Sequence, residues 1–144
     1  MEKASHIRLV FAKANRAIET VDRESIAHTG LHVTDFMILE ALLHKGPMPI
    51  NTIGKKVLLT SGSMTAAVNR LAGRGLIERV QDPLDGRRYL LNLTKTGLKL
   101  IRSAYRIHRE NLLRIFDCLD EQERDEFIRL LKKVGHHAEQ IEIS

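Results

Sequence analysis

The sequence predicts a mainly α-helical fold carrying one small β-hairpin. Three observations lead there. Apolar residues recur at three- and four-residue steps over most of the chain, the spacing of half-buried helices. Between residues 76 and 93, two short β-prone runs flank a turn-rich loop. A heptad-like seam then runs from Leu98 to Leu119. At 144 residues the chain reads as a single domain, 1–144.

Residues 4–27 form the first predicted helix, with Ile7, Val10, Ala14, Ala17, Ile18 and Val21 on one face and Arg8, Lys13, Arg16 and Glu19 among them. His28-Thr29-Gly30 supplies its stop, Gly30 taking the left-handed conformation that often follows a helix. Thr34 is placed to cap a second helix containing Phe36–Leu39 and Ala41–Leu43, which runs to His44-Lys45-Gly46. Pro47 and Pro49 prevent that helix from continuing. Ile50, Ile53, Val57 and Leu58 then outline a short amphipathic helix, with Asn51 and Lys55 or Lys56 outward.

After a turn at Leu59-Thr60-Ser61 comes the most informative stretch, Thr60–Arg74. Met64, Ala67, Val68 and Leu71 fall at i, i+3, i+4 and i+7 and give this helix one buried stripe. At 100° per residue, Gly62, Ala66, Asn69 and Gly73 point the opposite way, flanked by Ser63, Thr65 and Arg70. A merely solvated helix face is normally dressed in Glu and Lys; this one has no acidic residue. Small side chains permit close approach to another surface. Ser, Thr, Asn and Arg hydrogen-bond to phosphates and base edges. Two helices, a tight turn and a polar-faced second helix make a helix-turn-helix, its second helix suited to a DNA major groove.

Leu76–Val80 and Arg88–Leu93 read as strands separated by Gln81–Arg87, a loop with Pro83 and Asp85-Gly86. A hairpin directly after a recognition helix is a wing. Arg87 and Arg88 lie at its tip, and Asp85 is close enough to orient Arg87. A guanidinium held there suits the electronegative minor groove.

Thr94 can cap the long helix that follows, along which Leu98, Ile101, Tyr105, His108, Leu112, Ile115 and Leu119 form the seam. Asp120 and Glu123 mark the start of a last helix, with Phe127, Leu130, Leu131 and Val134 expected inward. A winged helix needs neither these helices nor the long first one in order to fold. The extra apolar seams point to a dimer interface built from both chain ends; an intramolecular helical bundle is the alternative.

These elements, in this order, resemble the MarR family of bacterial transcription regulators over essentially the whole chain. The matching text is Leu71–Arg79 (LAGRGLIER), Asp82-Pro83, Asp85-Gly86-Arg87-Arg88 and Leu93-Thr94-Lys95-Thr96-Gly97. The resemblance implies a winged helix-turn-helix lobe over 34–93 and a helical dimerisation lobe from 1–30 and 98–144. It implies recognition-helix contacts at Ser61, Ser63, Thr65, Ala66, Asn69 and Arg70. In the wing, Asp85 would brace Arg87 for the minor groove, beside Arg88. The function implied is a homodimeric, sequence-specific regulator of transcription, most often a repressor, on a pseudo-palindromic promoter site. Release would be by a small effector, aromatic or phenolic. Gly62 departs from the pattern, standing where a side chain is more usual.

Composition fits a polyanionic partner. Lys and Arg exceed Asp and Glu by five, for a pI near 9.6. No apolar run long enough to span a bilayer and no signal start is apparent, so no membrane partner is expected. A lone cysteine, Cys118, excludes an intramolecular disulfide and fits a cytoplasmic setting. There is no Gly-x-Ser-x-Gly elbow, phosphate-binding glycine loop or His-Glu-x-x-His helix, so neither an enzyme nor a cofactor is expected. Some MarR relatives sense zinc, for which His44 and His108 are the candidate pair; a histidine on an apolar face is more often a hydrogen-bonded packing residue. Others sense oxidants through cysteine, for which Cys118 is the candidate, although Asp117 and Asp120 disfavour its thiolate. A rival from another class is a winged-helix protein-interaction module. Such faces usually centre on apolar anchors, and the charges at Arg70, Arg74, Arg87 and Arg88 suit DNA better.

Overall fold

The computed structural model describes residues 2–57 and 59–144. Six helices and one hairpin follow in the expected order: α1 (Lys3–Ala27), α2 (Val33–Lys45), α3 (Ile50–Val57), α4 (Ser61–Gly73), β1 (Ile77–Asp82), β2 (Asp85–Leu93), α5 (Lys95–Phe116) and α6 (Glu121–Ala138). Leu58, expected on the apolar face of α3, lies outside the described residues.

Helix α1 stops where expected, at a Gly30 with φ of 78°. The start of α2 differs from expectation. His32, not Thr34, occupies the N-cap position, and the Phe36 N–H is bonded to the His32 carbonyl. Leu31 is buried immediately before it, so the chain turns into the helix earlier and Thr34 falls within its first turn.

One core holds the centre of the molecule. Phe36, Ile38 and Leu39 of α2 meet Ile53 of α3, Val68 and Leu71 of α4, Leu76, Ile77 and Leu91 around the hairpin, and Ile101 and Ala104 of α5. Burying side chains of this size contributes roughly 1.5–3 kcal/mol each. Ile26 of α1 belongs to the same cluster. The C-terminal part of α1 and the first half of α5 are therefore continuous with the winged-helix core.

The hairpin is antiparallel, with Ile77 opposite Leu93 and Gln81 opposite Tyr89. Its strands run further than expected, and only Pro83 and Leu84 separate them. Asp82 pairs with Asp85 across a register shift, so Gly86, Arg87 and Arg88 bulge from β2. The seven-residue loop read from the sequence is thus a tight turn plus a bulge. Asp82 Oδ1 accepts the Leu84 N–H at 2.9 Å, an Asx turn that the Pro and Asp signals had mistakenly widened. Met48 pairs with Leu91 through two backbone bonds, adding a minimal third strand.

Thr94 caps α5 as expected, accepting the Gly97 N–H at 3.0 Å. Asp120 likewise caps α6, accepting the Glu123 N–H at 2.8 Å, and that bond holds its carboxyl below the usual carboxylate range. The seam on α5 divides. Ile101 and His108 are buried in this chain, whereas Leu112, Ile115 and Leu119 are half-buried. Helix α6 buries no residue. The expected inward face is corrected: Phe127, Leu130, Leu131 and Val134 are 38–66% exposed, as are Ile7, Val10 and Phe11 on α1 at 54–62%. Helix α6 lies along an open apolar groove of about 350 Å³ with α5 and not against the core.

Candidate nucleic-acid interface

The second helix of the helix-turn-helix is fixed at both ends. At its start the Thr60 Oγ1 accepts the Ser63 N–H at 3.3 Å and donates to Ser63 Oγ at 3.0 Å. At its end Gly75 takes φ of 71°, and the Leu76 N–H returns to the Leu71 carbonyl. Between these caps Met64, Ala67, Val68 and Leu71 are buried, as the periodicity predicts. Ser61, Gly62, Ser63, Thr65, Ala66 and Asn69 are exposed. A Cβ added at Gly62 or Gly73 would meet open space, so neither glycine is demanded by packing within the chain. The Thr65 hydroxyl donates back to the Ser61 carbonyl at 3.0 Å and keeps acceptor capacity outward. No acidic residue lies in the first turn of α4, leaving the positive end of its dipole free of a local counter-charge.

Arg70, on the flank of α4, is engaged within the chain. Its Nε donates to both carboxylate oxygens of Asp35, at 3.1 and 3.0 Å, and its Nη2 lies 2.6 Å from Oδ1. Asp35, in the first turn of α2, is fully buried, while the Arg70 side chain remains 41% exposed. These bonds raise the Arg70 pKa further above its already high value. Sequence reading missed this pair. The available signal was an acid within the apolar run of α2, because a buried carboxylate requires a cation.

In the wing, Asp85 Oδ1 accepts the Arg87 N–H at 3.0 Å and lies 3.6 Å from Arg87 Nε. The Arg87 side chain is 95% exposed, and Arg88 is exposed beside it. Gln81 Nε2 donates to the Gly86 carbonyl at 2.8 Å and ties the bulge to β1. The expected brace between Asp85 and Arg87 is present in the geometry. Between Pro49 and Leu93, seven Lys and Arg residues stand against three acids.

The sensing candidates have their own partners. His108 is buried, with Nε2 3.1 Å from Asp22 Oδ1, Nδ1 2.9 Å from Ser25 Oγ, and its ring edge-on to Phe36 at 4.8 Å. Asn111 Nδ2 donates to the same Ser25 Oγ at 2.9 Å. His44 packs edge-on against Tyr105 at 4.6 Å, with Nε2 3.9 Å from Glu40 Oε1. Burial pushes the Glu40 carboxyl up, opposed by the nearby His108 and His44. Among the described residues, no group of three or more His, Cys, Asp and Glu is arranged to hold a metal ion. Cys118 is exposed just past the end of α5. Beside the Ser25–Asn111 pair, a cavity of about 510 Å³ opens between α1 and α5, lined by Val21, Glu24, His28, Arg114 and Ile115 among others.

A capped helix with an acid-free outer face, followed by a hairpin with a braced arginine, defines a winged helix-turn-helix DNA-binding protein. Comparison with known proteins agrees. Residues 29–88 match the MarR family. The chain is 36% identical over 142 residues to the HTH-type transcriptional regulator YkoM of Bacillus subtilis (strain 168), covering 98% of this chain and 92% of that one. It is 34% identical over 139 residues to MhqR, an HTH-type transcriptional regulator of the same organism, covering 96% of each. Among solved structures, the PcaV transcriptional regulator from Streptomyces coelicolor, in complex with its natural ligand, superposes with a TM-score of 0.75. It is 26% identical and covers 96% of this chain and 97% of its own. The chain belongs to the MarR family: it is a DNA-binding transcriptional regulator, not an enzyme. Among the described residues, no helix is long and apolar enough to cross a membrane.

Proposed function

We propose that the protein acts as a homodimeric repressor on a pseudo-palindromic promoter site and is released by a small aromatic or phenolic effector. The observation that carries the DNA reading is the pairing of an acid-free outer face on α4 with the exposed, Asp85-braced Arg87. Ser61, Ser63, Thr65, Ala66 and Asn69 would meet base edges in the major groove, with Arg70 at the rim of that face. Arg87 would enter the minor groove and Arg88 would take phosphate. The two sets of contacts would supply sequence discrimination and affinity respectively. This assigns residues 34–93 to DNA binding and both chain ends to dimerisation.

Support for the dimer comes from the apolar faces left open on α1 and α6, where Val10, Phe11, Phe127 and Val134 are exposed. A two-fold dimer would set two recognition helices about one DNA turn (roughly 34 Å) apart. Support for an effector comes from the cavity between α1 and α5, and from PcaV, which binds a natural ligand in the same fold. Helix α2 gives a route from cavity to DNA. Phe36 touches His108, which shares Ser25 with the cavity wall, and the adjacent Asp35 holds Arg70 of α4. An effector that favours one spacing of these helices would shift the population away from the DNA-competent form. Coupling of about 1–3 kcal/mol suffices.

Fluorescence anisotropy on the DNA upstream of its own coding region, at two salt concentrations with scrambled duplex as competitor, tests the reading. Binding that survives competitor, weakens steeply with salt and is released by a phenolic titrant is the expected result. A genomic-fragment selection that enriches no site would overturn it and favour a protein-docking role for the winged lobe. Retention of DNA against every phenol tried would remove the proposed effector class alone.

A further inference from the structure

Asp35 lies beneath the surface proposed to meet DNA, yet it is bonded to Arg70 on that surface. It is fully enclosed, and its carboxylate is bonded through both oxygens to one guanidinium. Burying such a pair is not an efficient way to stabilise a fold, because desolvation offsets most of the attraction, and apolar residues of similar volume often do as well. The arrangement has another consequence. Nε and one Nη2 hydrogen of Arg70 are engaged by Asp35. The other three N–H groups have no partner among the described residues. They belong to a side chain whose torsions are already fixed, on an exposed helix flank. Their neighbours one turn away on α4 are Ala66 and Gly73, and a Cβ at Gly73 would meet open space. An incoming DNA backbone could approach that edge without steric opposition.

Arg70 is the tenth residue of the thirteen in α4, whereas a recognition helix reaches base edges chiefly with its N-terminal residues. Asp35 also draws the guanidinium sideways toward α2, away from the helix crest. Both features favour a phosphate oxygen over a base as its target. We propose that Asp35 is a positioning residue for DNA recognition: it holds Arg70 as a preformed phosphate clamp that fixes the register of α4 on the operator. This rests on the DNA-binding reading of α4 given above. A prearranged arginine loses less conformational freedom on contact, and that advantage exists only when the phosphate sits in one defined place. A nonspecific complex, in which α4 has no fixed register, gains nothing from the arrangement.

The electrostatics make this separable from simpler roles. The charge of Asp35 lies beside the polyanion's binding site and opposes DNA binding of any sequence. Replacing it by the isosteric amide leaves Arg70 fully charged but loosely held. Asp35→Asn is therefore expected to bind scrambled duplex as well as the wild type or better, while its preference for operator over scrambled DNA falls about tenfold. Because any unfolded fraction lowers both affinities alike, the ratio reads positioning and not folding. Arg70→Lys supplies a second variant. It keeps a cation opposite the buried carboxylate, loses the planar fork, and is expected to lower the same ratio in a soluble protein. Anisotropy titrations on both duplexes at two salt concentrations give all the quantities needed. A wild type with no preference between duplexes overturns the DNA-reading conclusion and this assignment with it. A wild type with a clear preference, retained in either Asp35→Asn or Arg70→Lys, overturns the positioning role and leaves the DNA reading standing.

Discussion

Arg87 is held by very little, which is why it can be useful. Its side chain is 95% exposed, and its charged partner is Asp85, two residues earlier on β2. An exposed pair of this kind contributes little to folding, because water screens the charges and the long side chain loses freedom. Its effect is geometric: the Arg87 N–H bonded to Asp85 fixes the backbone of the bulge, and the Asp85 carboxylate stands 3.6 Å from the Arg87 Nε. Arg87→Ala is therefore expected to leave Tm within about 2 °C of wild type, as surface substitutions usually do. Operator affinity is expected to fall about tenfold or more, with the shift read by anisotropy at one fixed salt concentration. Unchanged affinity would remove the wing from the proposed contact set. Arg70 shows the contrasting case. It is half-covered and bonded three times to a buried acid. Two arginines that look equivalent in sequence thus stand in different surroundings.

At the scale of elements, the junction between wing and α5 shows how local chemistry fixes orientation. Thr94 sits at the centre of it. Its N–H bonds the Leu76 carbonyl, its hydroxyl donates to the Gly75 carbonyl at 2.6 Å, and its oxygen accepts the Gly97 N–H. This draws the first turn of α5 so close to the chain before β1 that a Cβ at Gly97 would overlap the Leu76 carbonyl oxygen. Gly97→Ala should therefore destabilise by about 2–3 kcal/mol or more, lowering Tm by roughly 5–10 °C in a thermal melt followed by circular dichroism. Gly73→Ala, where the added methyl meets open space on a helix, should be neutral or slightly stabilising. Equal melts for the two variants would mean that the junction is looser than its bonds indicate. The Thr94 cap and the buried stripe of α4 were legible in the sequence because each follows from residues three or four apart. The Asp35–Arg70 pair was not, since nothing local brings residues 35 apart together. The wing's tight turn was misread for a related reason: Pro and Asp-Gly announce a turn, but only strand pairing sets where it stops.

For the whole molecule, the distribution of apolar surface is the unsolved part of a single chain. The winged-helix core is closed, with Phe36, Ile53, Leu71 and Ile101 fully enclosed. Both ends of the chain remain open: α6 buries nothing, and the N-terminal two-thirds of α1 exposes Ile7, Val10 and Phe11. The periodicity predicted these faces correctly as helical and apolar. It could not say whether the covering surface would come from the same chain, because a helical seam is the same pattern in either case. An intramolecular bundle is not what forms here, so those faces are available to a second copy. Under the proposed dimer, one charge on either face should separate the protomers without unfolding them. Val10→Glu on α1 and Val134→Glu on α6, at positions 54% and 66% exposed in the single chain, are expected to sediment as monomers while keeping wild-type helix content. Each monomer retains one recognition helix and one wing, so nonspecific binding per chain should persist. Operator affinity should collapse, because the second half-site is no longer delivered at the effective, often millimolar, concentration that linkage provides. Should the wild type itself sediment as a monomer, the two-fold operator would go with the dimer. A wild-type dimer that survives both substitutions would place its interface elsewhere, and the open faces of α1 and α6 would then need a different occupant.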